Sequence, residues 1–128
     1  IKNKRIFLLD GDGALLMHMG ILALLGKQKH NTFYHILLNN GTHDSVGGQP
    51  TCINDIDLKL LVKSCNYKIQ KNIYKSGKLT ELLYNLRSSK GSFFFNIKIA
   101  EGSISPLPRP KEMPFKNKAL FQKNFIKK

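Results

Sequence analysis

An apolar run that stops at two aspartates and two glycines is the feature that most constrains how this chain folds. The run Ile6–Leu9 is followed directly by the tetrapeptide Asp10–Gly13, and a second apolar segment starts immediately after it. A continuous apolar run is typical of a strand that is buried on both faces of a parallel sheet. The pattern therefore predicts a buried strand over residues 5–10, which turns at the glycines into a helix over residues 14–25.

The same alternation continues along the chain. Short apolar runs predict strands, and apolar residues repeated at helical spacing predict helices. Glycine and clustered proline mark where these elements end. In chain order we predict strand 5–10, helix 14–25 ending at Gly26, strand 33–39, a polar loop over 40–52, helix 56–65 capped by Asp55, strand 68–74, helix 80–86, strand 93–99, a proline-rich segment over 103–114 and a final helix within 115–128.

This order of elements predicts an α/β fold with a doubly wound, mostly parallel sheet and helices on both faces. Ligands of such sheets bind at the carboxyl ends of the strands. Polar loops follow two predicted strands, over residues 10–14 and 39–51, so we expect the functional site there. We assign residues 1–105 to this domain and residues 106–128 to a proline-rich and then basic tail.

The first residues predict an incomplete domain. The chain opens at Ile1 rather than at methionine and enters its first strand within a few residues. We therefore expect an N-terminally truncated domain, which is a fragment, a natural short subunit or a degenerate copy.

The net charge of +13 would ordinarily indicate a nucleic-acid partner. Only three of the 21 basic residues are arginine, the residue that dominates base recognition and bidentate phosphate binding. We therefore predict a solvated basic surface and no nucleic-acid partner. No apolar stretch reaches the length of a membrane span, and Cys52 and Cys65 show neither a metal-binding nor a disulfide pattern. We expect a cytoplasmic protein with reduced, inert thiols.

One interpretation of the acidic turn is a phosphatase. A strand that runs into Asp-x-Asp-Gly resembles the first motif of the haloacid dehalogenase superfamily, and the resemblance implies that Asp10 is a nucleophile and Asp12 a general acid/base. That superfamily also needs Ser or Thr at the end of a later strand, whereas the second predicted strand ends in Asn39-Asn40. Its final acidic pair is missing too, since Asp55 and Asp57 lie at the start of a predicted helix.

A second interpretation joins Gly11-Asp12-Gly13 to Asn39-Asn40. Asp12 and Asn40 lie 28 positions apart, with one helix and one strand between them. This arrangement resembles the thiamin diphosphate signature, which begins with GDG and ends with NN. The glycines allow the backbone to approach a diphosphate closely, and the helix that follows, from Ala14, offers free N–H groups to the anion.

By this resemblance, Mg²⁺ is held by three protein oxygens. Asp12 supplies a carboxylate oxygen, Asn40 its side-chain carbonyl and Thr42 its main-chain carbonyl. Two diphosphate oxygens and a water complete the octahedron that Mg²⁺ prefers. The cofactor-binding residues implied by the resemblance are Gly11, Asp12, Gly13, Ala14, Asn40, Thr42 and His43.

A closer resemblance covers most of residues 4–100. The segments LDGDGALLMHMGILALLGKQ and HILLNNGTHDSVGGQPT resemble the phosphonopyruvate decarboxylase family, which is close to sulfopyruvate decarboxylase. The resemblance implies thiamin diphosphate- and Mg²⁺-dependent decarboxylation of a 2-oxoacid. Phosphonopyruvate, converted to phosphonoacetaldehyde and CO₂, is the expected substrate, and sulfopyruvate is the alternative. The stretch 107–110 departs from the family's pattern.

Three polar residues after Asn40 are candidate catalytic residues by the same resemblance. His43, Asp44 and Gln49 are expected at the mouth of the site, where they contact cofactor or substrate. The alternative is an ordinary polar loop that turns at its glycines.

The resemblance also implies a partner. Enzymes of this family need a pyrimidine-binding domain whose glutamate activates the aminopyrimidine ring. The glutamates of this chain, Glu81, Glu101 and Glu112, lack that sequence context. We therefore expect the chain to supply the diphosphate and metal half of a site, in a homo- or hetero-oligomer with a pyrimidine-binding domain or subunit. A non-catalytic cofactor-binding remnant is the alternative.

Two residues near the acidic turn have simpler predicted roles. Asp10 is expected to end its strand and brace the loop. His18 lies on an apolar helix, where a histidine of the core or of an interface is more common than a ligand. Because helix 14–25 is apolar on nearly every face, we expect it to be buried on two sides, at a subunit or domain interface.

Overall fold

The chain alternates strands and helices as the sequence pattern predicts. The computed structural model describes residues 4–27, 32–102, 105–106, 108 and 110–125. Its elements are β1 (Arg5–Gly11), α1 (Asp12–Met17), α2 (Ile21–Leu25), β2 (Thr32–Asn39), short 3₁₀ turns at Asp44–Val46 and Cys52–Asp55, α3 (Leu58–Ser64), β3 (Ile69–Ile73), α4 (Ser76–Asn85), β4 (Gly91–Lys98) and α5 (Pro114–Phe125).

The strands form one parallel sheet. Within the described residues the sheet has four strands, in the order β1-β2-β4-β3. The predicted burial of the first strand on both faces is wrong, because β1 lies at an edge of the sheet and its Phe7 and Leu9 are exposed. The register places Gly11 opposite Leu38 and Asn39 opposite Lys98. The carboxyl ends of β1 and β2 therefore lie side by side, which brings the acidic turn next to the Asn39-Asn40 pair.

Helices cover both faces of the sheet, so the predicted doubly wound α/β fold is confirmed. Helices α1, α2 and α3 pack on one face, and leucines of α4 pack on the other. The buried core of the first face consists of Leu15, Leu22, Phe33, Leu37, Ile53, Leu58, Val62, Tyr67 and Phe94. The buried core of the second face consists of Tyr34, Ile36, Ile73, Phe93 and Phe95.

The prediction of one helix over 14–25 is wrong. The helix starts two residues earlier, at Asp12, and is interrupted after Met17, so that two short helices replace it. Gly20 lies in the interruption, and glycine has the lowest helix propensity after proline. In the chain alone one side of this segment is exposed at Met17 and Leu24, so its expected burial at a subunit or domain interface stays a prediction.

The predicted start of the third helix is also wrong. Asp57, not Asp55, caps α3, because its Oδ1 accepts the Leu60 N–H at 3.0 Å. Asp55 ends a 3₁₀ turn instead, and Ile56 is extended. The capping preference of aspartate applies to both positions. Only the tertiary contacts of Ile53 and Leu58, both buried, determine which one begins the helix.

Two further helices have different bounds from those predicted. Helix α4 begins at Ser76 rather than at residue 80, because a polar first turn carries no apolar signal. Helix α5 begins with Pro114, a residue that suits the first helical position. The predicted end of that helix, at residues 126–128, lies outside the described residues. The division into residues 1–105 and 106–128 stays a prediction.

None of the helices in the described part of the chain is long and apolar enough to cross a membrane.

Candidate functional site

A cleft of about 640 Å³ lies at the carboxyl ends of β1 and β2. The start of α1 forms one wall and the loop after β2 forms the other. All the predicted site residues line it or lie in its walls. The lining residues are Gly11, Asp12, Gly13, Ala14, Met17, Leu38, Asn40, Thr42, His43, Asp44, Ser45, Val46, Gln49 and Ile99.

Asp12 joins the two walls of the cleft. It is the first residue of α1 and is only 3% exposed. Its Oδ2 accepts the Gly41 N–H at 3.0 Å and the Thr51 hydroxyl at 2.7 Å. Because both donors use Oδ2, neither occupies Oδ1. Thr51 is a site residue that sequence reasoning missed, since nothing in its local pattern distinguishes it from other loop threonines.

Asn40, Thr42 and Asp44 form a hydrogen-bonded turn. The Asn40 Oδ1 accepts the Thr42 N–H at 3.1 Å, and the Asn40 Nδ2 donates to the Asp44 Oδ2 at 2.8 Å. The Thr42 hydroxyl donates to the Asp44 Oδ1 at 2.6 Å, and the Gly102 N–H donates to its Oδ2 at 2.8 Å. The Thr42 hydroxyl and then the Gly102 N–H lower the pKa of Asp44, so this carboxylate anchors the turn in its ionised form.

The loop after Asn40 returns on itself as a small hairpin. Thr42 pairs with Pro50 in an antiparallel bridge, whose hydrogen bonds are made by the flanking residues. The Thr51 N–H donates to Gly41 O, and the His43 N–H donates to Gln49 O, each at 2.8 Å. The Thr42 carbonyl is therefore not used by this bridge. Positive φ angles of 117° and 74° at Gly47 and Gly48 close the hairpin.

His43 lies against the backbone at the start of α1. A Cβ added to Gly13 would come within 2.5 Å of the His43 Nδ1. Glycine at this position therefore permits the ring to approach the first turn of the helix. The side chain of Gln49 folds back over Gly47, where an added Cβ would meet its Nε2 at 2.8 Å. His43 and Gln49 thus both line the cleft, as the sequence analysis predicted.

Asp10 faces the core below the cleft. Its Oδ2 lies 3.0 Å from the His35 Nε2, and the His35 Nδ1 lies 3.2 Å from the Tyr67 hydroxyl. His35 is fully buried, and burial lowers its pKa even though the Asp10 carboxylate acts in the opposite direction. Asp10 does not line the cleft, so its geometry suits the bracing role rather than the nucleophile of a phosphatase.

The remaining predicted residues differ in position. His18 is exposed beside the interruption between α1 and α2, so it is not a core histidine, and its alternative role at an interface stays a prediction. His35 and Tyr67 were not identified from sequence. They lie 32 positions apart, and only the packing of α3 against the sheet brings them together.

The described residues contain no group of three or more His, Cys, Asp or Glu side chains that could hold a metal ion. A metal in the cleft would therefore have fewer than three such side chains as ligands and would also depend on amide and main-chain oxygens. The ligand set predicted from Asp12, Asn40 and Thr42 is of this kind, and oxygen ligands of mixed type suit Mg²⁺.

Comparison with known proteins gives three informative relatives. Over 111 residues, 87% of the chain, the sequence is 33% identical to phosphonopyruvate decarboxylase of Streptomyces viridochromogenes. Over 104 residues, 80% of the chain, it is 26% identical to sulfopyruvate decarboxylase of Methanosarcina acetivorans. Over 63 residues, 49% of the chain, it is 36% identical to sulfopyruvate decarboxylase subunit beta of Methanococcus maripaludis.

These similarities cover only part of each relative. They support a relationship of the chain to the phosphonopyruvate and sulfopyruvate decarboxylases, to which it is similar. It spans 28%, 27% and 34% of the lengths of the three relatives, respectively. No model of a known protein family matches the chain.

Proposed function

We propose that this chain supplies the diphosphate- and metal-binding half of a thiamin diphosphate-dependent 2-oxoacid decarboxylase. The observation that carries the proposal is the composition of the cleft. The chain has 21 Lys and Arg residues, yet none of the described residues lining the cleft is Lys or Arg. Its charged lining residues are the two carboxylates Asp12 and Asp44. A diphosphate anion would enter such a cleft only together with a cation that offsets this negative charge.

The oxygen atoms present fit a divalent cation. The Oδ1 of Asp12 is not used by the two donors that Oδ2 accepts, and the Thr42 carbonyl is not used by the hairpin bridge. The Asn40 Oδ1 accepts one N–H and keeps a second lone pair. Together these three oxygens would hold Mg²⁺ from one side and leave its other positions to diphosphate and water.

The backbone around Asp12 fits an anion. A Cβ added to Gly11 would meet no atom within 4 Å, so the outer side of the turn is open. Gly13 allows the His43 ring to approach the first turn of α1, where main-chain N–H groups have no partner within the helix. His43 would then face the same anion as these N–H groups.

The residues that line the cleft have distinct roles in this proposal. When bound, thiamin diphosphate supplies the electron sink for the loss of CO₂ from a 2-oxoacid. Asp12 and Asn40 would hold the cation. Asp44 fixes Asn40 and Thr42 in position through one hydrogen bond to each, and the Gly102 N–H donates a third to the same carboxylate. His43 and Gln49 lie at the rim, where they would orient cofactor or substrate and exclude water.

The substrate that we propose is phosphonopyruvate. Two relatives match a similar share of the chain. Identity is 33% to phosphonopyruvate decarboxylase and 26% to sulfopyruvate decarboxylase, so the first is the more similar of the two. Identity to the beta subunit of sulfopyruvate decarboxylase is 36% but extends over only 63 residues. Sulfopyruvate therefore remains the alternative, since both substrates are 2-oxoacids that carry a tetrahedral anionic group.

A pyrimidine-binding domain or subunit is the partner that we propose. Relatives named subunit beta belong to a multi-subunit enzyme, which supports a divided site. Met17 and Val46 line the cleft and are 71% and 70% exposed. Exposed apolar side chains around a polar cleft are typical of a surface that a partner covers.

Calorimetric titration with thiamin diphosphate, with and without Mg²⁺, tests the proposal. The chain is titrated alone and together with a pyrimidine-binding partner. We expect binding that needs Mg²⁺ and that is lost in Asp12→Asn, because this change removes the charge and keeps the shape of the side chain. Asp55→Asn is the matched control, since Asp55 is exposed and lies outside the cleft.

The outcomes separate the alternatives. Binding without Mg²⁺, or equal binding by the chain and Asp12→Asn, would contradict the proposed metal site. Binding with a partner but no CO₂ release from either 2-oxoacid would indicate a non-catalytic remnant. If CO₂ is released, the ratio of kcat/KM for phosphonopyruvate to that for sulfopyruvate decides the substrate.

A further inference from the structure

Three side-chain amides cross the sheet near the carboxyl ends of its strands, outside the lining of the cleft. Asn39, Asn96 and Asn72 lie near the carboxyl ends of β2, β4 and β3, which are adjacent strands. Asn72 is paired with Asn96 across β3 and β4. Asn39 lies two residues beyond the position that pairs with Asn96 in β2. We call these three residues the amide chain.

The amide chain is linked by directional hydrogen bonds. The Asn39 Nδ2 donates to the Asn96 Oδ1 at 3.1 Å, and the Asn96 Nδ2 donates to the Asn72 Oδ1 at 3.1 Å. Gln70 donates to the same Asn72 oxygen at 2.8 Å, at the exposed end of the chain. The other two members are almost fully buried, with Asn39 at 1% and Asn96 at 6% exposure.

Burial of these amides has an energetic cost that apolar residues would avoid. Leu37 and Phe94, two positions earlier in the same strands, are fully buried without polar groups. The Oδ1 of Asn39 is buried and has no hydrogen-bond partner among the described residues. A buried acceptor without a partner destabilises the fold, so the amide chain is a poor device for stability alone.

Asn39 is held from two directions at the point where the site begins. Its side chain is fixed to β4 through Asn96, and its main-chain oxygen accepts the Ile99 N–H at 3.0 Å. The next residue is Asn40, whose side chain lies on the cleft side and bonds Thr42 and Asp44. Because consecutive side chains of a strand point to opposite faces, fixing Asn39 fixes the direction in which Asn40 leaves the sheet.

We propose that Asn39 and Asn96 are positioning residues, which hold Asn40 and its turn in the orientation that binds the metal. This inference rests on the proposed function for its metal and not for its geometry. Asn39, at the buried end of the amide chain, orients the turn. Asn72, at the exposed end, anchors the amide chain to β3 and accepts a hydrogen bond from Gln70. Asn40 therefore needs no adjustment when the cation arrives, which is the advantage of a preorganised site.

Hydrogen exchange measured by NMR tests the geometric part without any cofactor. Asn96→Leu removes the partner of Asn39 and keeps a side chain of similar size. We expect the Thr42 N–H, which donates to Asn40, to exchange at least about tenfold faster than in the unsubstituted chain. The Leu60 N–H, which donates to Asp57 in α3, reports on the rest of the fold and should change by less than about twofold.

A matched control separates local positioning from general loss of stability. Ser92→Ala also removes a buried hydrogen bond of β4, the one from the Ser92 hydroxyl to Leu25 O, but at the opposite end of the strand. It should raise exchange at Thr42 no more than at Leu60. Asn96→Asp keeps an acceptor for Asn39, and Asn72 can rotate its amide to donate to the new carboxylate. This variant should restore slow exchange at Thr42.

Magnesium affinity completes the test. Asn96→Leu should raise the Mg²⁺ concentration that gives half-maximal thiamin diphosphate binding by about tenfold, and Ser92→Ala should not. Unchanged exchange at Thr42 in Asn96→Leu, or equal acceleration at Thr42 and Leu60, would overturn the inference whether or not the cofactor binds. Faster exchange at Thr42 in a chain that never binds thiamin diphosphate would support the positioning role and contradict the proposed function alone.

Discussion

At the residue scale, the two aspartates of the acidic turn have different roles. Asp10 and Asp12 are two positions apart, but the first bonds His35 in the core and the second bonds Gly41 and Thr51 in the cleft wall. The strand periodicity places Asp10 on the core face, and the start of α1 turns Asp12 toward β2. The same residue type therefore braces the fold at one position and lines the candidate site at the other.

Gly13 gives a test of how closely His43 approaches α1. Gly13→Ala should destabilise the chain by about 1–3 kcal/mol, because the new methyl group would meet the imidazole ring. In a His43→Ala background the same change should be neutral or stabilising, since alanine is favoured over glycine in a helix by about 1 kcal/mol. Thermal unfolding of the two single variants and the double variant measures the coupling. Additive effects would show that the ring does not lie where the structure places it.

At the element scale, the packing of α2 beside α3 depends on a close approach of their backbones, which the periodicity of the sequence does not predict. A Cβ on Gly26 would lie 1.6 Å from the main-chain oxygen of Cys65, the residue that follows the last turn of α3. The sequence predicts Gly26 as a helix end, and the structure adds that this glycine sets the distance between two helices on the same face of the sheet.

Gly26→Ala should therefore be among the most destabilising single changes at a glycine of this chain. We expect a loss of at least about 3 kcal/mol, because main-chain atoms rather than a flexible side chain must move. Gly20→Ala is the matched control, since its added Cβ meets nothing within 4 Å and its φ of −58° suits alanine. The control should be stabilised by about 0.4–1 kcal/mol. Urea unfolding measures both, and equal stability of the two variants would contradict the close approach.

At the scale of the whole molecule, a group of exposed apolar side chains lies beside the cleft. Met17, Ile21 and Leu24 border a depression beside the cleft and are exposed. The apolar pattern of this segment predicts burial on two sides. In the chain alone the sheet buries one side, which leaves the other for the partner that we propose.

Leu24→Lys tests this surface. Leu24 is 62% exposed and lies outside the cleft, so we expect the change to abolish association with a pyrimidine-binding partner or a second copy and to leave unfolding within about 0.5 kcal/mol. Leu120→Lys is the control, because Leu120 is 56% exposed on α5. Analytical ultracentrifugation measures association. Loss of association in both variants, or in neither, would contradict an interface at this surface.

The sequence by itself determined the fold class and the place of the candidate site. Parallel strands buried on both faces, as β2 and β4 are, leave continuous apolar runs, and the polar loops at the carboxyl ends of parallel strands meet at one edge of the sheet. Helix bounds were less well predicted, since Asp55 and Asp57 are equally good caps and only the packing of Ile53 and Leu58 distinguishes them. The partners of buried polar groups, such as His35 with Tyr67 and Asn39 with Asn96, were decided by the tertiary structure alone. Contacts between residues far apart in the chain leave no local pattern, because they depend on strand order and register.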